Sequence, residues 1–177
     1  MSQTIYQIDS AHSSAQFTVR HMMIANVRGE FTRLSGGIAY DPADPANSSI
    51  DATIDAASVN TREAQRDAHL KSADFFDVER FPTLTFRSKE VAVRDGEGNV
   101  KGDLTMHGVT REVVLRVEGP TPESKDPWGN MRIGATATAK INRKDFGLNW
   151  NAALEAGGVL VGEEVKITID LEAIRQG

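Results

Sequence analysis

The sequence contains no cysteine and no excess of basic residues. The absence of cysteine excludes disulfides, thiolate metal sites, iron–sulfur clusters and cysteine nucleophiles. The 20 basic and 25 acidic residues give a formal net charge of -5, which argues against the broad basic surface that nucleic acid or an anionic bilayer favours. We therefore expect no nucleic-acid partner.

Long apolar runs are also missing. No stretch approaches the roughly 18 apolar residues that a spanning helix needs, so we expect no transmembrane segment and any connection with lipid to be through binding. The N-terminus shows no basic region, apolar core or cleavage site of a secretory leader. As given, the chain is expected to be cytoplasmic, or periplasmic or secreted if a leader has been removed.

What the chain does have is enough apolar residues for one sizeable core. With 177 residues, 40% of them hydrophobic, we expect a single domain spanning residues 1–177. Most of the chain alternates between apolar and polar residues, as half-buried antiparallel strands do. The apolar rows lie at 15–19, 27–31, 38–40, 50–56, 84–86, 100–106, 113–117, 133–141 and 165–171. They predict about eight strands in an all-β barrel or sandwich.

The one interruption of this pattern is the segment at residues 60–77. Asn60 as N-cap, with Glu63 three residues later, predicts a short helix. Ser72 is placed to cap a further turn that carries two phenylalanines. Because the segment is far longer than a hairpin connection, we expect it to form a partial cover over one end of the barrel.

A row of small residues, Ala135, Ala137 and Ala139, occupies one face of a predicted strand. An eight-stranded barrel has an interior that side chains just fill, or that holds one ligand if those side chains are small. Two interpretations remain open. Either bulky residues opposite complement the alanines, or the interior is hollow and the aromatic residues line and plug a tunnel.

Motifs spread over nearly the whole chain resemble those of the YceI-like family. The matching stretches include YQID at 6–9, FTVRH at 17–21, VRGEF at 27–31, SVNT at 58–61, RDAHL at 66–70, GDLT at 102–105, NRKDFGL at 142–148 and VGEEV at 161–165. Each motif is weak alone, but their succession is specific.

This resemblance implies an eight-stranded antiparallel lipocalin-like β-barrel with one short helical insertion at about residues 60–77. It further implies that the barrel binds a long-chain lipid, either a polyisoprenoid, an isoprenoid quinone or a fatty-acid-like molecule, for carriage, storage or sequestration. It suggests that a homodimer can form. It carries over no enzymatic role and no cofactor.

We predict that the lipid contacts apolar residues from several strands and from the helical segment, together with one histidine. The predicted ligand-binding residues are Phe17, Val19, His21, Phe31, Leu70, Phe75, Phe76, Phe81, Phe86, Met106, Ala135, Ala137, Phe146, Leu148 and Trp150.

The four histidines raise the alternative of a small metal-dependent barrel enzyme. They are His12, His21, His69 and His107. Metal sites of such barrels usually bring two histidines one residue apart on a strand. No His-x-His occurs in the sequence, so we expect no metal site.

A hydrolytic enzyme is the other catalytic alternative. Ser13, His12 and Asp67 could act together only if the fold brought them into contact, and the chain lacks the G-x-S-x-G elbow that exposes a serine. The polar residues of the helical segment either fix the helix to its neighbours or place Arg66 or Lys71 against an acidic or phosphate head group. A third hypothesis is that the barrel has a filled core, binds no ligand inside and functions as an interaction module.

Overall fold

The computed structural model of the protein describes residues 3–155 and 158–177. Its strands are β1 (Thr4–Ile8), β2 (Ser14–His21), β3 (Ala25–Phe31), β4 (Leu34–Tyr40), β5 (Ser49–Asp55), β6 (Val59–Asn60), β7 (Thr83–Arg94), β8 (Glu97–Met106), β9 (Val109–Glu118), β10 (Ser124–Lys125), β11 (Met131–Asn142) and β12 (Val161–Arg175). The α-helix α1 spans Ala64–Lys71. Short 3₁₀ turns lie at Ser10–His12, Pro45–Asn47, Ala56–Ser58 and Arg143–Phe146.

The strands close into an eight-stranded antiparallel barrel. The circuit runs from β1 through β4, β5, β7, β8, β9, β11 and β12 and returns to β1. The expected fold class is therefore confirmed. A closed circuit reduces the free sheet edge of these strands, which helps to protect the barrel from pairing with other chains; the β9–β11 junction is short, with three residue pairs.

The last strand, β12, joins two parts of the sheet. Its C-terminal residues pair with β1 and the rest pairs with β2, so β1 and β2 act as one broken strand along it. Asp9 caps the 3₁₀ turn at the break by accepting a hydrogen bond from the Ala11 amide at 3.1 Å. Ser13 Oγ bonds the backbone of Glu172 on β12, which satisfies the polar groups where the ladder is interrupted.

The helix begins later than the sequence pattern predicted. Asn60 belongs to β6, and its side chain accepts from the Arg62 amide, so the prediction of Asn60 as N-cap is wrong. Glu63 is the N-cap and accepts from the Gln65 amide. Ser72 does cap the following turn through the Asp74 amide. Among the described residues, no helix is long and apolar enough to cross a membrane.

A side-chain network explains why the helix does not begin before residue 64. Asp67 accepts from the amide and the hydroxyl of buried Thr61, at 2.8 and 2.6 Å. Arg66 donates to the hydroxyl and carbonyl of Thr61. The first turn of the helix is therefore tied to β6, and both side chains serve the structure of this corner.

Candidate functional site

The barrel interior contains an apolar cavity of about 360 Å³, within the range of about 300–1,000 Å³ typical of small-molecule sites. Inward-facing aliphatic side chains form most of its wall. Examples are Ile38, Ile50, Ile54, Leu84, Val91, Val93, Val100, Leu104, Val113, Leu115, Val117, Ile133, Ile141, Val165, Ile167, Ile169 and Leu171.

Several of these inward-facing side chains keep accessible surface although they point into the barrel. On β12, Val165, Ile167 and Ile169 are only half-buried. On β11, Ala135 and Ala139 are also half-buried, whereas Ala137 is buried against the group around Val100 and Leu115. A filled core would bury all of them, so the interior is hollow. The hypothesis of an interaction module with a filled core is therefore not supported.

Aromatic rings line the cavity at the α1 end in two groups. His69 lies between Phe75 and Trp150, with ring centroids 5.1 and 4.6 Å away, in edge-to-face geometry. Phe76 meets Phe31 edge-to-face at 5.4 Å. Such contacts favour a defined arrangement of rings, so α1 and the turn after it are attached to the barrel by the aromatic wall itself.

Besides Tyr40 on β4 and Arg143 after β11, four charged or titratable residues of the cavity wall belong to this same end. Exposed Arg20 and half-buried His21 come from β2, and exposed Arg66 and half-buried His69 come from α1. His69 also bonds Asp74 at 2.8 Å. The cavity therefore runs from an apolar interior to a polar, solvent-exposed end beside α1.

Arg143 is a buried arginine that continues the inward-facing row of β11 at the edge of the cavity. Its guanidinium donates to backbone carbonyls of Leu148, Trp150, Val161 and Gly162 at 2.7 to 3.2 Å. Burial lowers its pKa from the usual value of arginine. These hydrogen bonds hold the segment after β11 against the start of β12.

Most of the residues predicted from the sequence to bind lipid lie on the cavity wall. They are Phe17, Val19, His21, Phe31, Leu70, Phe75, Phe76, Phe86, Met106, Ala135, Ala137, Leu148 and Trp150. Whether they contact a lipid stays a prediction.

Phe81 and Phe146 lie outside the cavity wall. Phe81 packs on His107 at 5.0 Å between ring centroids. Phe146 is buried in the core cluster that also contains Phe31 and Phe75, but it does not line the cavity, and its carbonyl receives a hydrogen bond from His107 Nδ1. Aromatic character alone did not identify the residues that line the cavity, and both positions fall in turns where alternation gives no direction.

The predicted set of ligand-binding residues omitted most aliphatic wall residues and Arg143. The sequence did indicate the aliphatic residues, because Val113, Leu115 and Val117 occupy every second position, as the apolar residues of the other rows do. Arg143 could have been found by extending the row of Ala135, Ala137 and Ala139 past the end of the strand.

The hydrolytic set is not assembled. Ser13 bonds the backbone of Glu172, His12 bonds Asp9, and Asp67 bonds Thr61. Each member therefore has a different partner.

Among the described residues, one group with metal-ligand spacing occurs: Asp9, His12 and Glu172, whose ligand atoms lie within 4.8 Å of one another. Arg132 already donates to Asp9 at 2.7 Å and to Glu172 at 3.2 Å. A cation is thus present between these carboxylates as a guanidinium, and a metal ion would have to displace it. The expectation that no metal is bound stays a prediction.

The fold and the hollow apolar interior define a lipocalin-like β-barrel. The family model of the YceI-like domain matches residues 6–173, and the chain belongs to that family. A UPF0312 protein of Staphylococcus aureus (strain N315) is 39% identical over 170 residues, covering 96% of each chain.

Solved structures share the same barrel. BcnA of Burkholderia cenocepacia matches with a TM-score of 0.79 and 25% identity, over 93% of this chain and 98% of that one. The YCEI protein of Campylobacter jejuni matches with a TM-score of 0.72 and 32% identity, over 89% and 90%. A domain from Saccharophagus degradans, described as polyisoprenoid-binding, matches in fold with a TM-score of 0.71 at 19% identity, over 97% and 98%.

Proposed function

We propose that the protein binds the hydrocarbon chain of a long amphiphilic lipid inside the barrel and carries or sequesters it. The observation that supports this is the apolar cavity of about 360 Å³, into which Val165, Ile167 and Ile169 point while staying only half-buried. Transfer of each CH₂ group from water contributes about 0.8 kcal/mol before ordering costs are subtracted. A long chain can therefore be held without a strong polar contact.

The ligand class that best fits this wall is a polyisoprenoid or an isoprenoid quinone, with a fatty-acid-like molecule as the simpler alternative. The wall combines half-buried aliphatic residues with rings gathered at the α1 end, and methyl branches fill such uneven space better than a smooth chain does. The fold shared with the Saccharophagus degradans polyisoprenoid-binding domain is consistent with this class.

We place the polar head of the lipid at the end of the cavity beside α1. Arg20, His21, Arg66 and His69 provide hydrogen-bond donors or cationic groups there, and the opposite walls are apolar. Arg66 is bonded to Thr61 at 2.8 and 2.7 Å, whereas the bonds of Arg20 to Asn26 and Met23 are longer, at 3.4 and 3.3 Å. Arg20 and His21 are therefore the more available groups for a head group.

The test is to identify what the purified protein carries. We expect native mass spectrometry to show one lipid per chain, organic extraction to release it, and the emptied protein to take up a radiolabelled polyprenol. A protein that carries no lipid and takes up no polyprenol, isoprenoid quinone or fatty acid would contradict the proposal. Stoichiometric zinc, iron or manganese after purification in metal-free buffer would favour the metal-enzyme alternative instead.

A further inference from the structure

The tip of the β2–β3 hairpin exposes three consecutive apolar side chains. Met22, Met23 and Ile24 are 42%, 56% and 76% exposed. The Ile24 amide donates to the His21 carbonyl at 3.1 Å and closes a tight turn. Large apolar groups at such a point leave much of their surface uncovered by the described residues, and this makes them candidates for a contact with something outside the chain.

The backbone of this turn makes the choice of residues more unusual. Met22 and Met23 have φ angles of 52° and 62°, and a turn with two positive φ values normally carries Asn, Asp or Gly. Methionine is strained in this conformation. The sequence therefore keeps flexible apolar side chains where turn chemistry favours small polar ones.

The neighbouring segment extends the same surface. The Met22 amide donates to the Leu160 carbonyl at 2.7 Å, Met23 Sδ lies against Gly158, and Val159 is 37% exposed. We call Met22, Met23, Ile24 and Val159 the apolar tip. It consists of side chains from two segments that meet at one end of the barrel.

The apolar tip lies beside the polar end of the cavity. Arg20 and His21 directly precede it on β2, and Leu160 and Val161 directly follow Val159; all four of these residues line the cavity. A lipid that passed through this end would leave next to the exposed methionines.

The hairpin is also locally cationic in an acidic protein. Between Ala11 and Gly29 the sequence has no Asp or Glu but has Arg20 and Arg28, whereas the whole chain has a net charge of -5. Arg20 bends toward the tip and donates to the Met23 carbonyl at 3.3 Å. On the facing segment Glu163 is paired with Lys144 at 2.8 Å.

The facing segment also carries the exposed acids Glu155 and Glu164. The hairpin itself, and not the whole end of the barrel, therefore supplies the positive charge. The apolar tip with cations just behind it matches the layers of a bilayer surface, because the tip would meet the acyl chains and the cations would meet the phosphates above them.

We propose that the apolar tip inserts into the surface of a phospholipid bilayer, so that the cavity exchanges its lipid with the membrane directly. The purpose of this docking rests on the proposed lipid-binding function, but the docking itself can be measured without any cargo.

The experiment compares co-sedimentation with vesicles of phosphatidylcholine and phosphatidylglycerol for three proteins. They are the wild type, a tip variant with Met23→Ser and Ile24→Ser, and a control with Ile5→Ser and Val114→Ser, which removes exposed apolar side chains from β1 and β9. We expect the tip variant to bind vesicles at least about tenfold more weakly and the control to match the wild type.

A fourth protein, with Arg20→Gln and Arg28→Gln, tests the role of charge. It should bind phosphatidylglycerol vesicles about fivefold more weakly per charge removed and bind pure phosphatidylcholine vesicles as the wild type does.

A second readout separates docking from cargo binding. Uptake of farnesol from solution should be the same in the tip variant and in the wild type, while transfer of polyprenol from vesicles should be slower in the tip variant. Equal vesicle binding by all three proteins, or none by the wild type, would overturn the proposal. The proposal would also be overturned if the wild type formed a dimer in size-exclusion chromatography, and the tip variant lost this dimer while co-sedimenting with vesicles as the wild type does. The apolar tip would then be a contact between copies.

Vesicle binding without farnesol uptake would support docking and overturn the lipid-binding function alone.

Discussion

At the scale of single residues, the free space in the barrel can be tested at Ala139. This residue is half-buried, faces Ile167 across the β11–β12 ladder and lines the cavity. We expect Ala139→Phe to lower the affinity for a long-chain lipid by about tenfold or more, because a ring would occupy ligand space. The free energy of unfolding should fall by less than the roughly 1–3 kcal/mol that overpacking costs at a fully packed position, because Ala139 packs on the group around Val100 and Leu115 but keeps accessible surface. Lipid titration and urea unfolding measure the two quantities.

Neighbouring positions supply the controls for this substitution. Thr138→Phe places the same ring on the exposed face of β11 and should leave lipid affinity unchanged. Ala137 is already packed against its neighbours, so Ala137→Phe should cost about 1–3 kcal/mol of stability through overpacking. If Ala139→Phe bound lipid as the wild type does while remaining folded, the chain of the lipid would not occupy this part of the barrel.

Arg143 is the residue whose loss we expect to affect stability most directly. Arg143→Met removes the donor shared by the carbonyls of Leu148, Trp150, Val161 and Gly162. Leaving buried acceptors unpaired costs about 1–3 kcal/mol, and urea unfolding should show a loss of about this size. Hydrogen exchange should increase first in the segment 148–162. A variant with unchanged exchange there would show that the segment is held by other contacts, such as Asn151 with Val161.

At the scale of elements, α1 and the turn after it are expected to control lipid release. Phe75 and Phe76 come from this turn, line the cavity and pack on Trp150 and Phe31. The double substitution Phe75→Ala with Phe76→Ala should speed lipid dissociation and raise hydrogen exchange in residues 60–77 before the strands are affected. Stopped-flow release of a fluorescent lipid measures the off-rate.

Phe81 offers a matched control for this prediction because it is an aromatic residue that does not line the cavity. Phe81→Ala should lose stability through its contact with His107 but keep the wild-type off-rate. If the double variant also kept the wild-type off-rate while the whole barrel lost stability, the two phenylalanines would be ordinary core residues.

The elements differ in how far the sequence could predict them, and the reason is the regularity of the alternation. β11 and β12 were predicted because they are long and alternate strictly. β7 was predicted only at 84–86 although it extends from Thr83 to Arg94. A register shift between Ser88 and Glu90 changes which positions face inward, from Leu84 and Phe86 to Val91 and Val93. A bulge of this kind destroys a period of two.

Short elements and tertiary contacts explain the other differences. β1 has only five residues, too few for a clear alternating row, and it was not predicted. The helix start was misplaced because the contact of Asp67 with Thr61 holds the residues before the helix in a non-helical path, with Arg62 at a φ of 68°. Local capping patterns do not contain that contact. Within the site, alternation predicted which strand residues face inward, but it gave no information for residues in turns such as Phe81 and Phe146.

At the scale of the whole molecule, an ion-pair network joins strands at the end of the barrel away from α1. Arg132 on β11 donates to Asp126 and to Asp9, each at 2.7 Å, and to Glu172 on β12 at 3.2 Å. These groups join the start of β11 to the break between β1 and β2 and to β12. Bonding to Arg132 lowers the pKa of Asp126 from 3.8 to about 2 and also lowers the pKa of Asp9.

The network predicts how stability depends on pH. A carboxyl group whose pKa is lower in the folded protein than in the unfolded chain stabilises the fold above its unfolded pKa, and this contribution disappears as pH falls toward the folded pKa. For Asp126 the loss should occur between about pH 4 and pH 2. We expect Arg132→Met to be less stable than the wild type at neutral pH but to lose less stability over this interval, because the pKa values of Asp126 and Asp9 lie closer to their ordinary values without the guanidinium.

Urea unfolding at a series of pH values from neutral to acid measures both effects. Arg87→Met is the control, since Arg87 pairs with Asp51 on the exposed outer face of the barrel, where an ion pair contributes little. Its curve of stability against pH should run parallel to that of the wild type. If Arg132→Met also ran parallel to the wild type, the acid sensitivity of the barrel would arise from carboxyl groups elsewhere, and the Arg132 network would contribute no pH-dependent stability.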